Sequence, residues 1–307
     1  MATVIVLDSG GRLGNKLIHF AAVYAWCLHR GHRLINPAFY AYAHHFPNLG
    51  SDLLLSGTHP LRAALPLRAR LQKLALRAGR AADRRGWLRG VLNAHTAAEC
   101  IRLPPTPTDF DDTRARRYWL QGWYFRNPVG LDIYRTRIVE LLRPAPKYER
   151  DADEFARGLG DSTVNVAVHM RLGDYKTERA SLYHGIEQYA AAMAAVRAAV
   201  AARSGRAVRF AVFSDEQVRV EDFAPWNLDV VASRGSVLED LTRLSRFRGI
   251  IAPPSTFSQW AAYVGGGKVL EIGVHPDAAL KYIESEPIAR SAGELAEHLL
   301  TPGASPR

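Results

Sequence analysis

The chain alternates between short unbroken apolar runs and longer stretches in which apolar residues recur at steps of three and four. The first pattern suits strands buried on both faces, and the second suits amphipathic helices. Thr3 to Leu7 reads as a buried strand. A glycine-rich turn follows, then a helix from Lys16 to Arg30 with Leu17, Phe20, Ala21, Tyr24 and Leu28 on one face and Gly31 as its stop. Arg33 to Asn36 predicts a second strand, closed by Pro37. A strand–helix–strand order of this kind implies parallel strands joined by a right-handed crossover.

The pattern is weaker over the next part of the chain. Ala38 to Phe46 is rich in Tyr and His, and the basic segment after it predicts one or two helices. Leu103 to Asp112, with its prolines, reads as a loop, and Arg117 to Phe125 as a strand ending at Gly122. Leu131 to Leu142 has a helical pattern, broken by Arg143-Pro144-Ala145-Pro146-Lys147. That break is the expected linker between a first domain, 1–147, and a second, 148–307. Beyond it come a strand (Thr163 to Met170), a helix (Gly185 to Ala202) and a strand (Ala207 to Phe213) that stops at Ser214-Asp215. Ser236-Val237-Leu238-Glu239 is a capping box opening a helix through Phe247. Gly249 to Ala252 is a short strand, followed by a helix through Val264, a last strand from Lys268 to Ile272, and a closing helix from Ala289 to Leu300. The closing helix is expected to pack back on the first domain. The whole reads as α/β, with parallel sheets covered by helices on both faces.

Composition narrows the class. The 307 residues, 48% hydrophobic and 23% charged, are those of a folded globular chain rather than a disordered one. Two cysteines, Cys27 and Cys100, are too few for a disulfide framework or a four-cysteine zinc site. No run of apolar residues is long enough to span a membrane, and the N-terminus enters a strand without a signal-peptide pattern, so a cytoplasmic location is expected. The formal charge is +10. Much of it lies between Arg62 and Arg102, where Arg68, Arg70, Lys73, Arg77, Arg80, Arg84, Arg85 and Arg89 interleave with leucines and no acid precedes Asp83. A solvated helix face is the plainest reading, and an anionic lipid surface is another. A nucleic-acid partner is not expected, because neither a binding motif nor a series of stacking aromatics accompanies the charge.

Four polar clusters fall at predicted strand ends, where open α/β sheets bind ligands. The first is Gly10-Gly11-Arg12-Leu13-Gly14-Asn15, between a strand and a helix whose N–H groups favour anions. Its glycine spacing is neither the dinucleotide fingerprint nor a Walker loop. The second is His169-Met170-Arg171-Leu172-Gly173-Asp174-Tyr175, in which Arg171 offers a planar fork suited to phosphate. The third is Ser214-Asp215, an acid placed to read donor groups of a ribose or base. The fourth is Ser255-Thr256-Phe257, hydroxyls and N–H groups at a helix start.

Taken in order, Gly11-Arg12-Leu13-Gly14-Asn15, the His169-x-Arg171-x-Gly173-Asp174-Tyr175 core, Phe213-Ser214-Asp215, and Glu239-Asp240-Leu241 with Ser255 to Tyr263 resemble the α-1,2-fucosyltransferase family, which shares motifs with α-1,6- and protein O-fucosyltransferases. Gln121-Gly122-Trp123-Tyr124-Phe125 is similar to that family's mid-chain aromatic motif. The resemblance implies two facing Rossmann-like domains in the B-type glycosyltransferase architecture, a GDP-L-fucose donor, no metal, and inversion at the transferred carbon. It implies that Arg171 neutralises the donor β-phosphate, and that Arg12 and Asn15 reach the diphosphate or fucose from the first domain. By the same resemblance Gly11 and Gly14 shape the donor loop, and His169 and Asp215 contact ribose and guanine, with Ser214 beside them. Ser255, Thr256 and Phe257 add phosphate contacts, and Asp174 orients Arg171 or its loop.

Two positions depart from the family pattern: Leu172 stands where many members carry a second Arg, and Lys16 where Gln is usual. For the general base, Asp8, His19, His44 and His45 all stand as candidates. The implied acceptor is a glycan hydroxyl, with an α-1,2 link to a galactoside of a bacterial surface polysaccharide or oligosaccharide. Acceptors of this kind include lipid-linked glycans, which would give segment 62–102 a peripheral role at the inner face of the membrane. Another GDP-sugar as donor, and a sugar-nucleotide-binding protein without catalysis, are the alternative readings.

Overall fold

The computed structural model describes residues 1–49, 65–107, 115–178, 180–273 and 288–301. Arg62 and residues 108–112 of the expected proline loop lie outside the described residues. The described chain forms two compact units, one from Met1–Ala145 and one beginning at Pro146.

The first unit opens with β1 (Thr3–Val6), α1 (Leu13–Arg30) and β2 (Arg33–Ile35). It continues through α2 (Leu65–Arg84), β3 (Val91–Ala94), β4 (Ile101–Arg102), β5 (Arg117–Gly122), β6 (Phe125–Arg126), α3 (Pro128–Ile133) and α4 (Arg135–Leu141). The main sheet has the order β2-β1-β5-β3 with every pairing parallel, and β4 pairs with β6 in a small parallel ribbon. Helix α1 starts three residues earlier than its pattern predicts, so Leu13, Gly14 and Asn15 belong to its first turn rather than to the glycine loop. Gly31 ends it in the left-handed conformation, φ 64°, with its N–H on the Cys27 carbonyl. The expected one-sided apolar face is too narrow: Ile18, Ala22, Val23, Ala25 and Trp26 are buried as well. A helix apolar on most sides belongs inside a domain. Its Trp26 ring meets Tyr118 of β5 on one face of the sheet, while Leu76 of α2 packs on Ile5 and Leu7 of the other. The predicted helix 131–142 is two helices, divided at Tyr134.

The second unit comprises α5 (Pro146–Leu159), β7 (Val164–Met170), α6 (Gly173–Glu178), α7 (Ile186–Ser204), β8 (Val208–Ser214), β9 (Asp229–Ala232), α8 (Val237–Leu244), β10 (Gly249–Ala252), α9 (Thr256–Gly265), β11 (Lys268–Glu271), β12 (Ile288–Ala289) and α10 (Ala292–Leu300). Its sheet has the order β12-β11-β10-β7-β8-β9, again all parallel. Val164, Val166, Val168 and Met170 turn to one face, where they pack on Tyr189, Met193, Val196 and Val200 of α7 and on Leu295 of α10. The closing helix starts after Ala289, which lies in β12, and α10 takes its main partners, α7 and β11, from its own unit. On the opposite face Phe213 meets Phe155 of α5 and Phe247 at 5.7 and 5.8 Å.

Helix α5 was not anticipated, although Tyr148, Ala152, Phe155 and Leu159 recur at steps of three and four along it, and ion pairs add to its attachment. Only Tyr148, Ala152 and Leu159 are buried. Arg243 of α8 grips Asp151 through two hydrogen bonds of 2.7 and 2.8 Å, and Arg246 reaches Glu149 and Asp153 at 2.7 and 2.8 Å. The capping box is present, with the Ser236 N–H donating to the Glu239 carboxylate at 2.6 Å.

Gly122 ends β5 with φ +89°, and a Cβ there would lie 2.2 Å from the Ala94 carbonyl oxygen of β3. Gly122→Ala is therefore expected to destabilise the chain by about 2 kcal/mol or more. Urea unfolding of the variant tests this; an unchanged midpoint would contradict the packing described for the β5 end.

Candidate functional site

In the second unit the chain runs outward from β7 to β8 and β9, then returns to place β10 on the other side of β7. Neighbouring strands whose connections leave in opposite directions open a crevice at their carboxyl ends. That switch point lies between β7 and β10, and the loops leaving both strands carry the expected residues.

Arg171 follows β7 directly. Its Nη2 donates to Asp174 Oδ2 at 2.8 Å, its Nε lies 2.8 Å from Asp174 Oδ1, and its Nη1 lies 3.2 Å from Asp215 Oδ2. The guanidinium carries five N–H donors, so these contacts leave part of the fork available. Asp215, just past β8, also accepts hydrogen bonds from the N–H groups of Leu172 (2.8 Å) and Gly173 (3.1 Å) through Oδ1. Burial raises its pKa, but those two N–H groups and Arg171 outweigh burial and hold the carboxyl below its usual value. Tyr189 Oη accepts the Arg171 backbone N–H at 3.2 Å. The turn after β7 is thus tied to β8 and α7 together.

The return strand supplies the other wall. Ser255 caps α9, accepting the Phe257 N–H at 3.3 Å. Phe257 lies against the His169 ring at 5.1 Å, and His169 Nδ1 is 3.0 Å from Ser258 Oγ. Tyr175 Oη donates to the Pro254 carbonyl at 2.9 Å. Burial, then the Arg171 charge, pushes His169 down to about 4, with Asp215 opposing. Ser214 accepts the Glu216 N–H at 3.2 Å. The structure therefore brings His169, Arg171, Asp174, Ser214, Asp215, Ser255, Thr256 and Phe257 to one edge of one sheet.

Leu172 is buried in the α7-side core, so the position where the resemblance led one to expect a second Arg faces apolar side chains.

In the first unit the glycine loop follows β1. Gly10 and Gly11 have φ of +53° and +61°, and a Cβ on Gly11 would overlap the Asn15 amide at 2.1 Å. Only glycine lets Asn15 fold against this turn. Arg12 is the exposed N-cap residue of α1, and Gly14 is buried in its first turn. Lys16 Nζ donates to Ser9 Oγ at 3.1 Å. Burial lowers its pKa, Asp8 opposes this, and Arg80 adds to it. Asp8 lies 3.9 Å from Arg80 of α2.

Of the base candidates, His19 is removed. It is buried edge-on to Phe125, and burial, then Arg126 and Lys16, pushes it down to about 3. His44 is exposed, His45 and Asp8 half-buried. Sequence reasoning gave no individual site role to Tyr189, Ser258, Arg80 and Asp83, whose contacts arise between elements distant in the chain. Asp83 accepts a hydrogen bond from Gln121 of β5. Among the described residues no three His, Cys, Asp or Glu side chains gather as a metal site would require.

Comparison with known proteins starts from this geometry. Residues 152–287, just under half of the chain, match the model of glycosyl transferase family 11. The matched stretch contains the β7, β8 and β10 loops and excludes the glycine loop. No curated protein sequence matches the chain. Among solved structures, the NodZ α-1,6-fucosyltransferase soaked with GDP-fucose is 14% identical, with a TM-score of 0.52 over 89% of this chain and 95% of that one. Fucosyltransferase NodZ from Bradyrhizobium, as the selenomethionine protein, gives 14%, 0.53, 89% and 96%. A mutant of Arabidopsis thaliana FUT1 in complex with GDP gives 12%, 0.54, 90% and 72%. The expected resemblance to a fucosyltransferase family is borne out, and with it the parallel α/β fold.

His169 is neutral in the fold, yet its imidazole titrates near 6.5 when unfolded. Unfolded chains therefore bind more protons between pH 6.5 and about 4, and the contribution to stability, complete above 6.5, is lost as pH falls towards 4. The shift corresponds to a loss on the order of 3 kcal/mol. Urea unfolding at several pH values should show a shallower loss for His169→Gln than for the parent chain; equal slopes would sink the assignment.

Proposed function

We propose that this chain, whose residues 152–287 match the model of glycosyl transferase family 11, transfers L-fucose from GDP-L-fucose to a glycan hydroxyl with inversion, forming an α-1,2 link to a galactoside. The observation that carries the reading is the Arg171 fork, fixed at the switch point by Asp174 and Asp215 beside the N-terminus of α9. The donor is supported by two fold neighbours, NodZ soaked with GDP-fucose and Arabidopsis thaliana FUT1 in complex with GDP.

In the proposed reaction the acceptor oxygen bonds to the anomeric carbon as the bond from that carbon to the β-phosphate oxygen breaks. The electron pair leaves with GDP. Arg171 meets the charge that develops there, where a fixed donor is worth most. Asp174 and Asp215 are positioning residues in this scheme: they hold the fork in one rotamer, so little order is lost at the moment of reaction. Arg171, Asp174 and Asp215 together carry one net negative charge, so Arg171 alone does not compensate a diphosphate. The backbone N–H groups that open α9, with Ser255 and Thr256, are assigned to the remaining phosphate oxygens. Phe257 is assigned to the same phosphate contacts, and His169, whose ring lies tilted against it at 5.1 Å, to the nucleoside. Arg12 and Asn15, with Gly11 and Gly14 shaping their loop, are assigned to the transfer machinery as well. The proton of the acceptor passes to a carboxylate or imidazole, with Asp8, His44 and His45 as the remaining candidates.

Calorimetry should show GDP binding in preference to UDP and ADP, and GDP-L-fucose should be hydrolysed or transferred without added metal. Binding of UDP alone would end the donor assignment, and a requirement for a divalent cation would end the proposed mechanism. Arg171→Ala should lower turnover by about 100- to 1,000-fold, and it should also lower the unfolding midpoint, because Asp174 and Asp215 lose the cation they share. A fully active Arg171→Ala enzyme would remove the central role given to this side chain.

A further inference from the structure

Helix α2 has two faces of opposite character. Leu76, Gly79 and Asp83 point inward: Leu76 lies on Ile5 and Leu7, Gly79 leaves no room for a Cβ beside Leu7, and Asp83 accepts from Gln121. The opposite stripe, at steps of three, four and seven, is Leu74, Arg77, Ala78, Arg84 and Arg85, all exposed. Leu74 is 62% exposed, and Trp87, one turn beyond the helix, is 70% exposed with the Arg85 guanidinium 5.1 Å from its ring. Arg89 is exposed as well. From residue 74 to 90 the sole acid is Asp83, which is turned inward.

We infer that this stripe docks on an anionic lipid bilayer. Four exposed arginines that, among the described residues, face no carboxylate complement a surface of negative head groups. A leucine and a tryptophan standing out of the same stripe suit a boundary that accepts apolar side chains a few ångströms deep. Tryptophan prefers that depth, where its ring is dehydrated and its N–H stays wet. A nucleic-acid surface would be served by arginines and a row of stacking rings, and gains little from Leu74. The inner face of the same helix reaches the β1 and β5 ends through Arg80 with Asp8 and Asp83 with Gln121. A docked α2 therefore holds the carboxyl end of this sheet near the head groups, where a lipid-linked glycan presents its hydroxyls. This last step, and only this step, rests on the proposed transferase activity.

Flotation of the full chain with phosphatidylcholine vesicles, with and without phosphatidylglycerol, tests the inference. Binding is expected only with phosphatidylglycerol at low ionic strength. Each arginine removed should weaken it about fivefold, so that R77Q/R84Q/R85Q loses roughly a hundredfold, while R157Q on the other unit loses nothing specific to the stripe. L74S/W87S should lower binding and abolish a blue shift of tryptophan emission seen on vesicles. Absence of binding would overturn the inference. So would binding indifferent to L74S/W87S and matched by a DNA duplex, which would mark a nucleic-acid face instead. GDP calorimetry on the same variants keeps the two readings apart: unchanged GDP binding with lost flotation leaves the donor site standing, and the reverse leaves the surface standing.

Discussion

The second unit depends on Asp215. One carboxylate at the end of β8 takes the N–H groups of Leu172 and Gly173 and the Nη1 edge of Arg171, so the turn after β7 cannot move independently of β8. A guanidinium on a long flexible stem normally samples many rotamers and loses that freedom on meeting a ligand. Here Asp174 and Asp215 have already removed it. The carboxylate itself stays charged because its two backbone donors and Arg171 more than offset the effect of burial. A weaker acceptor at position 215 would loosen the loop and the cation together.

The two positions that depart from the expected motifs acquire physical meaning in this setting. Leu172 looks in sequence like a missing cation. In the fold its side chain belongs to the core with Met170, Val168 and the α7 residues, and only its N–H faces the site. An apolar side chain is what that environment favours. Lys16 differs, because it stays close to polar groups: its ammonium meets Ser9 and feels both Asp8 and Arg80. Burial lowers its pKa, with Asp8 opposing this and Arg80 adding to it.

Continuous apolar runs ending in polar clusters made β1, β7, β8 and β10 legible, and the regular three–four spacing of Ile186, Tyr189, Met193, Val196 and Val200 made α7 legible. Helix α5 was passed over although Tyr148, Ala152, Phe155 and Leu159 recur at helical spacing, because Pro144 and Pro146 at its start read as a linker. Strand β12, with two residues, was too short to show a period, and α6 is a single polar stretch, Gly-Asp-Tyr-Lys-Thr-Glu. The start of α1 was set too late because glycine and asparagine weigh against a helix locally, whereas burial of Leu13 and Leu17 in this fold favours it.

What the residues alone determined is the set of segments and the polar cluster at the end of each: local periodicity and turn chemistry need no partner to be read. Which clusters meet was decided by topology. β10 could have extended the sheet beyond β9, and then Ser255 to Phe257 would lie far from Arg171. Its return to the side of β7 creates the crevice, sets Phe257 on His169, and leaves Asp215 and Tyr189 to fasten the turn between them. Strand order is a property of the whole packed sheet, since each strand must bury both faces at once, and no short stretch of sequence contains it.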